Sequence, residues 1–174
     1  MMEGLKMTVI EAIRNRRSIR RFKPGEKVDG QQLKLLLEAA MLAPSACNTR
    51  PWEFIVVKDR EKLDLIRKTH PYTGMLETAS LAIVICALPD VQKDIANGYF
   101  PQDCGAATEN ILLAAVELGL GACWCGVYPK EDRIAEIQKI LGTKKLPFNI
   151  IAVGVPDEAP APRGRYDESK VTYI

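Results

Sequence analysis

The sequence predicts an α+β domain, helices flanking a sheet, that associates with a second copy of itself. Three observations point there. A chain of 174 residues is enough for one full hydrophobic core and too short to expect two. Segments with apolar residues at helical spacing alternate with short runs rich in β-branched residues. One helical segment, 103–118, is apolar on nearly every face, so its packing needs cover from its own sheet on one side and from another subunit on the other. Residues 1–174 are read as a single domain.

The elements follow in order. Thr8 with Glu11 forms a capping-box pattern ahead of a first helix that carries Val9, Ile10 and Ile13 toward a core. Asp29 with Gln32 repeats the pattern before Leu33, Leu36, Leu37, Ala40 and Met41, and Pro44 ends that helix. The run 52–57 is aromatic and β-branched, as a strand should be. Asp59 can cap a helix reaching about Lys68, before His70, Pro71 and Gly74 break it. Residues 81–88 read as a buried central strand, and the helix of 103–118 is closed by Gly119. A short strand or loop follows over 121–128. Ile134, Ile137, Ile140 and Leu141 mark an amphipathic helix over 131–141, stopped by Gly142, and 148–155 supplies another strand. The proline-rich stretch 156–162 should run extended over a surface.

Composition excludes several function classes. With 24 Lys plus Arg against 22 Asp plus Glu, the net charge of +2 gives no global argument for a polyanionic partner. The longest apolar stretch is far short of the ~20 residues a membrane span needs, and the N-terminus has no apolar signal core, so a cytoplasmic protein is expected. Five cysteines in or beside apolar segments suggest reduced thiols instead of a disulfide framework. His70 is the lone histidine, which disfavours a histidine-rich metal site or a Ser-His-Asp relay. Chemistry borrowed from a cofactor fits better.

Four segments carry candidate chemistry. Residues 14–21 hold five arginines, namely Arg14, Arg16, Arg17, Arg20 and Arg21, together with Ser18. A solvated face and a nucleic-acid patch remain open there, but forked guanidinium groups beside a hydroxyl also suit a compact phosphate. Arg163 and Arg165 add two guanidinium groups on an extended backbone, where alternate residues point the same way. The turn containing Pro44, Ser45 and Asn48 offers a hydroxyl, an amide and free backbone groups to a heterocycle edge, or simply stops a helix. Gly119 to Gly126 places glycines, which allow close backbone approach, beside the indole of Trp124. Cys123 and Cys125, with no histidine or second cysteine pair nearby, fit structural zinc poorly.

The order of these motifs resembles the nitroreductase family of FMN-dependent oxidoreductases. The matching elements are Arg16-Arg17-Ser18-Ile19-Arg20, Pro44-Ser45 with Asn48 and Pro51-Trp52, Gly119-Leu120-Gly121 with Trp124 and Gly126, and Arg163-Gly164-Arg165. They span essentially the whole chain. The resemblance implies a mostly antiparallel sheet in an intertwined homodimer with two FMN sites at the interface. Arg16, Arg17, Ser18, Arg20, Arg163 and Arg165 would hold the FMN phosphate and ribityl chain. Pro44, Ser45 and Asn48 would reach the flavin from the other subunit. Trp124, Cys125 and Gly126 would lie beside the ring, with backbone N–H groups near Cys125 and Gly126 approaching N5 and O4. NADH or NADPH would reduce the flavin, leave, and be replaced by a small acceptor such as a nitroaromatic or quinone, with no catalytic side chain and no metal.

The sequence departs from the family pattern in two places. Arg50 stands where many relatives carry Gln, and residues 72–75 offer no Asn or Lys to the flavin. Within the same fold, a reductive dehalogenase or flavin-fragmenting enzyme needs lids or clamps that are not evident, and a non-catalytic flavin-binding regulator is a further alternative. Nucleic-acid binding through 14–21 is disfavoured by the balanced charge and the absence of interleaved aromatics.

Overall fold

The computed structural model describes residues 7–162 and 164–174. Four strands, β1 (Trp52–Val57), β2 (Leu81–Ala87), β3 (Gly121–Gly126) and β4 (Leu146–Gly154), form one sheet in the order β1-β2-β4-β3 with every pairing antiparallel. The helices are α1 (Val9–Asn15), α2 (Gly30–Met41), α3 (Arg60–Thr69), α4 (Phe100–Glu117) and α5 (Glu131–Leu141). The α+β arrangement is the one the sequence predicts.

Strand β2 explains why the sheet has two covered faces. All its residues are buried, and a strand sends successive side chains to opposite sides. Leu81, Ile83 and Ile85 therefore enter one core with Leu36 and Ala40 of α2 and Ile111 and Ala115 of α4. Ala82, Val84 and Cys86 enter the other with Leu63 and Ile66 of α3 and Ile137 of α5. Each fully buried Leu or Ile contributes about 1.5–3 kcal/mol over its exposed state, so the two layers hold the sheet from both sides.

The helix signals act as read. Thr8 with Glu11, and Asp29 with Gln32, make reciprocal capping boxes, Asp59 accepts from the N–H of Lys62, and Gly142 ends α5 in the left-handed region. Two expectations change. Helix α4 begins at Phe100, three residues earlier than the apolar run suggests. Val9, Ile10 and Ile13 do not enter a core: they are 71%, 56% and 50% exposed, and only Ala12 of α1 is buried. A seven-residue helix lying against α4 has room to bury one stripe, and within one protomer that stripe is the alanine side.

The segment 16–23 lies against the ends of β3 and β4. Ser18 bridges to Ala122, the Ile19 N–H donates to the Ala122 carbonyl at 3.0 Å, and the Lys23 N–H donates to the Val155 carbonyl at 2.9 Å. This approach depends on two glycines. A Cβ at Gly121 would lie 2.7 Å from Ile19 Cγ2, and one at Gly154 would lie 2.9 Å from the Phe22 ring. Gly121→Ala and Gly154→Ala should each destabilise by about 1–3 kcal/mol, the usual penalty for overpacking. Urea unfolding checks this, and the Gly154 penalty should shrink in a Phe22→Leu background because the two sites share one contact.

Candidate functional site

Two clefts adjoin along this edge and share Arg20. One, of about 490 Å³, is bordered by Arg16, Arg17, Ser18, Arg20, Glu158 and Arg165. The other, of about 500 Å³, is bordered by Arg20, Tyr72, Met75 and the β3 residues Cys123 to Gly126. The first is cationic and the second is mainly apolar and aromatic. Arg163, expected beside Arg165, lies outside the described residues.

Among the described residues, the cationic cleft contains four arginines and one acid, and that acid is already engaged. Glu158 accepts from the backbone N–H groups of Arg20 at 2.5 Å and Arg21 at 3.2 Å, and pairs with Arg21 Nε at 3.4 Å. The Arg20 N–H, first among these, holds its carboxyl below the usual carboxylate range. Glu158 thus clamps the chain after β4 onto the arginine segment. Arg16 Nε reaches Glu109 of α4 at 3.2 Å. Arg17 donates through Nε to the Ala161 carbonyl at 3.1 Å and through Nη1 to the Arg16 carbonyl, while its Nη2 is buried without a hydrogen-bond partner among the described residues. A buried guanidinium N–H without an acceptor is costly. The cleft as a whole offers more guanidinium and hydroxyl donors than Glu158 and Glu109 use, so the residues fit a phosphate.

The second cleft opens at the free edge of β3. Along an antiparallel strand the N–H and C=O of one residue face the same side, and alternate residues face alternate sides. Ala122 turns its carbonyl out to Ile19, and Gly126 turns its carbonyl out to His70 Nε2 at 2.8 Å. Val127 instead donates inward to the Phe148 carbonyl. The outward N–H groups at this end of β3 are therefore those of Trp124 and Gly126, while the peptide of Cys125 faces β4. Trp124 is 38% exposed, and its indole lies over Gly105 of α4.

Opposite β3, the 70–75 segment is pinned by groups the sequence reading left unassigned. His70, buried, accepts the Tyr72 N–H at Nδ1, which leaves its proton on Nε2 for the Gly126 carbonyl. Arg133 of α5 sits 5.3 Å from the Tyr72 ring centroid and donates to the same carbonyl at 3.4 Å. A lone histidine before a proline carries no sequence signal for such a role, because its partner is 56 residues away.

Cys123 and Cys125 share one face of β3 and are buried. The Cys125 thiol donates to the Tyr72 carbonyl at 3.1 Å. Cys123 is held below the ordinary thiol range, chiefly by the neighbouring Cys125 and further by the Arg20 charge and Ser18, while Cys125 is pushed up.

The Pro44–Asn48 turn borders neither cleft of its own protomer. Cys47, Asn48 and Arg50 all have positive φ, at 49°, 54° and 49°, a region that costs a non-glycine residue roughly 1–2 kcal/mol, less for Asn. The Ser45 hydroxyl accepts the Arg50 N–H at 2.9 Å, and Arg50 Nε donates to Asn48 Oδ1 at 3.2 Å. Arg50 therefore serves to hold the turn.

An antiparallel sheet with a cationic cleft running into an aromatic one defines a site for an elongated ligand with a phosphate at one end and a flat ring system at the other. Comparisons with known proteins agree with that class. The nitroreductase family model matches residues 13–71 and 64–155. A Methanothermobacter thermautotrophicus protein, provisionally named NADH dehydrogenase/NAD(P)H nitroreductase, is 44% identical over 168 residues, covering 95% of this chain and 86% of its own. A crystal structure from Parabacteroides distasonis with the same provisional name superposes with a TM-score of 0.89 at 37% identity, covering 95% of this chain and 96% of that one. An FMN-dependent nitroreductase from Clostridium difficile gives 0.83 at 34% identity, covering 94% and 98%. The chain belongs to the nitroreductase family.

The thiol pair gives a test of the local electrostatics. Cys123 should form its thiolate at a lower pH than an ordinary thiol near 8.5, seen as a pH-dependent thiolate absorbance and alkylation rate. Cys123→Ser removes that step. Cys125→Ala, which removes the neighbouring thiol, moves it back up.

Proposed function

We propose that this protein is an FMN-dependent oxidoreductase that takes a hydride from NADH or NADPH and passes electrons to a small acceptor of the nitroaromatic or quinone class. The observation that carries this reading is a cationic cleft, bordered by Arg16, Arg17, Ser18, Arg20 and Arg165 and with its Glu158 already engaged, that joins an aromatic cleft through Arg20. The FMN dependence of the Clostridium difficile relative supports the choice of ligand.

In this reading Arg16, Arg17, Ser18, Arg20 and Arg165, with Arg163, hold the phosphate and ribityl chain. The N–H groups of Trp124 and Gly126 face the ring edge as fixed donors. Such donors stabilise negative charge on a ring being reduced, so no acid–base side chain is needed. Bound FMN supplies the hydride-accepting and electron-donating chemistry. The residues around it orient the ring, and Tyr72 and Met75 restrict the second cleft to flat, apolar molecules.

The site is completed by a second subunit. Val9, Ile10, Ile13, Met41 and Leu42 are exposed on α1 and at the end of α2, and a cavity of about 330 Å³ lies between these helices and α4. An apolar surface of this kind marks an interaction site. Covering it with a second copy brings the partner's Pro44, Ser45 and Asn48 to the flavin.

Three measurements test this. The protein should purify as a yellow dimer or, if colourless, take up FMN as one, by absorbance and light scattering; a monomer that refuses FMN overturns the reading. Arg17→Ala should weaken FMN binding by about 1.5–3 kcal/mol, or roughly ten- to hundred-fold, while riboflavin, without a phosphate, changes much less. Equal losses would mean that Arg17 holds the fold.

Donor and acceptor use the same cleft in turn, which gives ping-pong kinetics. In stopped flow, NADH or NADPH alone should bleach the flavin, and a quinone should restore it. Cys123→Ser and Cys125→Ser should keep both half-reactions. Loss of the second half-reaction with FMN still bound and bleached would indicate a thiol relay.

A further inference from the structure

The turn that carries Ser45 and Asn48 is not held by its own bonds alone. It has three non-glycine residues at positive φ between positions 47 and 50, and its internal bonds, from Thr49, Arg50 and the Asn48 N–H, leave the Ala46 N–H to be met from outside the turn. The bracing comes from two buried side chains that neither the motifs nor the clefts include. Asp103, in the first turn of α4 and 7% exposed, receives the Ala46 N–H on both carboxylate oxygens, at 3.1 and 3.2 Å. Gln92, fully buried, donates from Nε2 to Asp103 at 2.6 Å and to the Thr49 hydroxyl at 2.8 Å. That hydroxyl donates in turn to the Ala46 carbonyl at 2.8 Å.

The carboxylate has no lysine or arginine partner among the described ion pairs. Its charge is met instead by the Ala46 N–H, the Gln92 amide and the positive end of α4. A buried acid without a counter-ion is a poor way to stabilise a core, since a well-packed apolar side chain does as well. What Asp103 supplies that an apolar residue does not is direction: it fixes the Ala46 N–H relative to α4 directly, and the Ala46 carbonyl through Gln92 and the Thr49 hydroxyl.

We propose that Asp103 and Gln92 are positioning residues that hold the Ser45–Asn48 turn in its left-handed conformation for contact with the partner subunit's flavin ring, an inference that rests on the proposed dimeric flavin site. The bracing spans three segments: the turn, the 3-10 turn Pro89–Gln92 and the start of α4. Loss of the Asp103 acceptor leaves a buried N–H without a partner and frees the turn to relax toward ordinary φ values.

The test compares FMN and riboflavin binding by the dimeric protein, with dimer state followed by light scattering. Asp103→Ala should weaken both flavins alike, by about ten- to hundred-fold, because the turn acts on the ring and not on the phosphate. Asp103→Asn keeps an acceptor for the Ala46 N–H and should restore most of the affinity, and the flavin's visible band should shift in the alanine variant and return in the asparagine one. If Asp103→Ala fails to fold, Gln92→Met, which keeps the carboxylate and removes the link to Thr49, should show a smaller equal loss for both flavins. Wild-type affinity in a folded alanine variant, a loss confined to FMN, or no rescue by asparagine would overturn the positioning role. Wild-type protein that is monomeric or binds no flavin would instead overturn the reading beneath it.

Discussion

The close approach of Ile19 and Phe22 to the sheet edge is the contact on which the site depends. Only hydrogen atoms at Gly121 and Gly154 leave room for these side chains, and with them in place the backbone from Ser18 to Lys23 joins the ends of β3 and β4. The arginines then have no freedom to scatter. Arg17 borders the cationic cleft, Arg20 stands where two clefts meet, and the chain after β4 is drawn back across them by the Asp157 N–H, which donates to the Arg21 carbonyl at 2.9 Å. A larger residue at either glycine would displace the segment that carries the positive charge, not merely strain a core.

Packing this many guanidinium groups together is unfavourable in the absence of an anion. Two acids relieve it in part: Glu109 meets Arg16, and Glu158 meets Arg21 and two backbone donors. Neither reaches the Nη2 of Arg17. The protein as a whole is nearly neutral, so the local excess is a property of this edge alone. A dianionic ligand bound here gains both from charge and from the donors already fixed in place, and by mass action it stabilises the folded state that presents them.

Much of this was legible in the sequence because the signals are local. Capping boxes at Thr8 and Asp29, the β-branched run at 52–57, the apolar run at 81–88, whose strand ends one residue earlier, and Gly142 each act within a few residues, and each marks its element. The motif order named the family. What escaped detection was non-local. His70 and Arg133 meet at the Gly126 carbonyl from separate elements, and Asp103 looks like an ordinary acid in a helix's first turn until the fold sets it beneath Ala46. The apolar residues of α1 misled for a related reason: periodicity reports that a face needs cover, but not whether the cover is the same chain.

That last ambiguity bears on the proposed division of the site between two subunits. Leu42, 81% exposed at the end of α2, stands immediately before the strained turn, and α4 both borders the uncovered cavity and braces the turn through Asp103. The surface that lacks cover and the groups that border neither cleft of their own protomer are therefore continuous along the chain. Left-handed residues and a buried carboxylate without a cationic partner are expenditures that a free loop would not retain, and the turn they shape borders neither cleft of its own protomer. They make physical sense if the turn must keep that shape at the moment a second subunit packs against it, when a flexible loop would lose conformational entropy on ordering and a braced one has already done so.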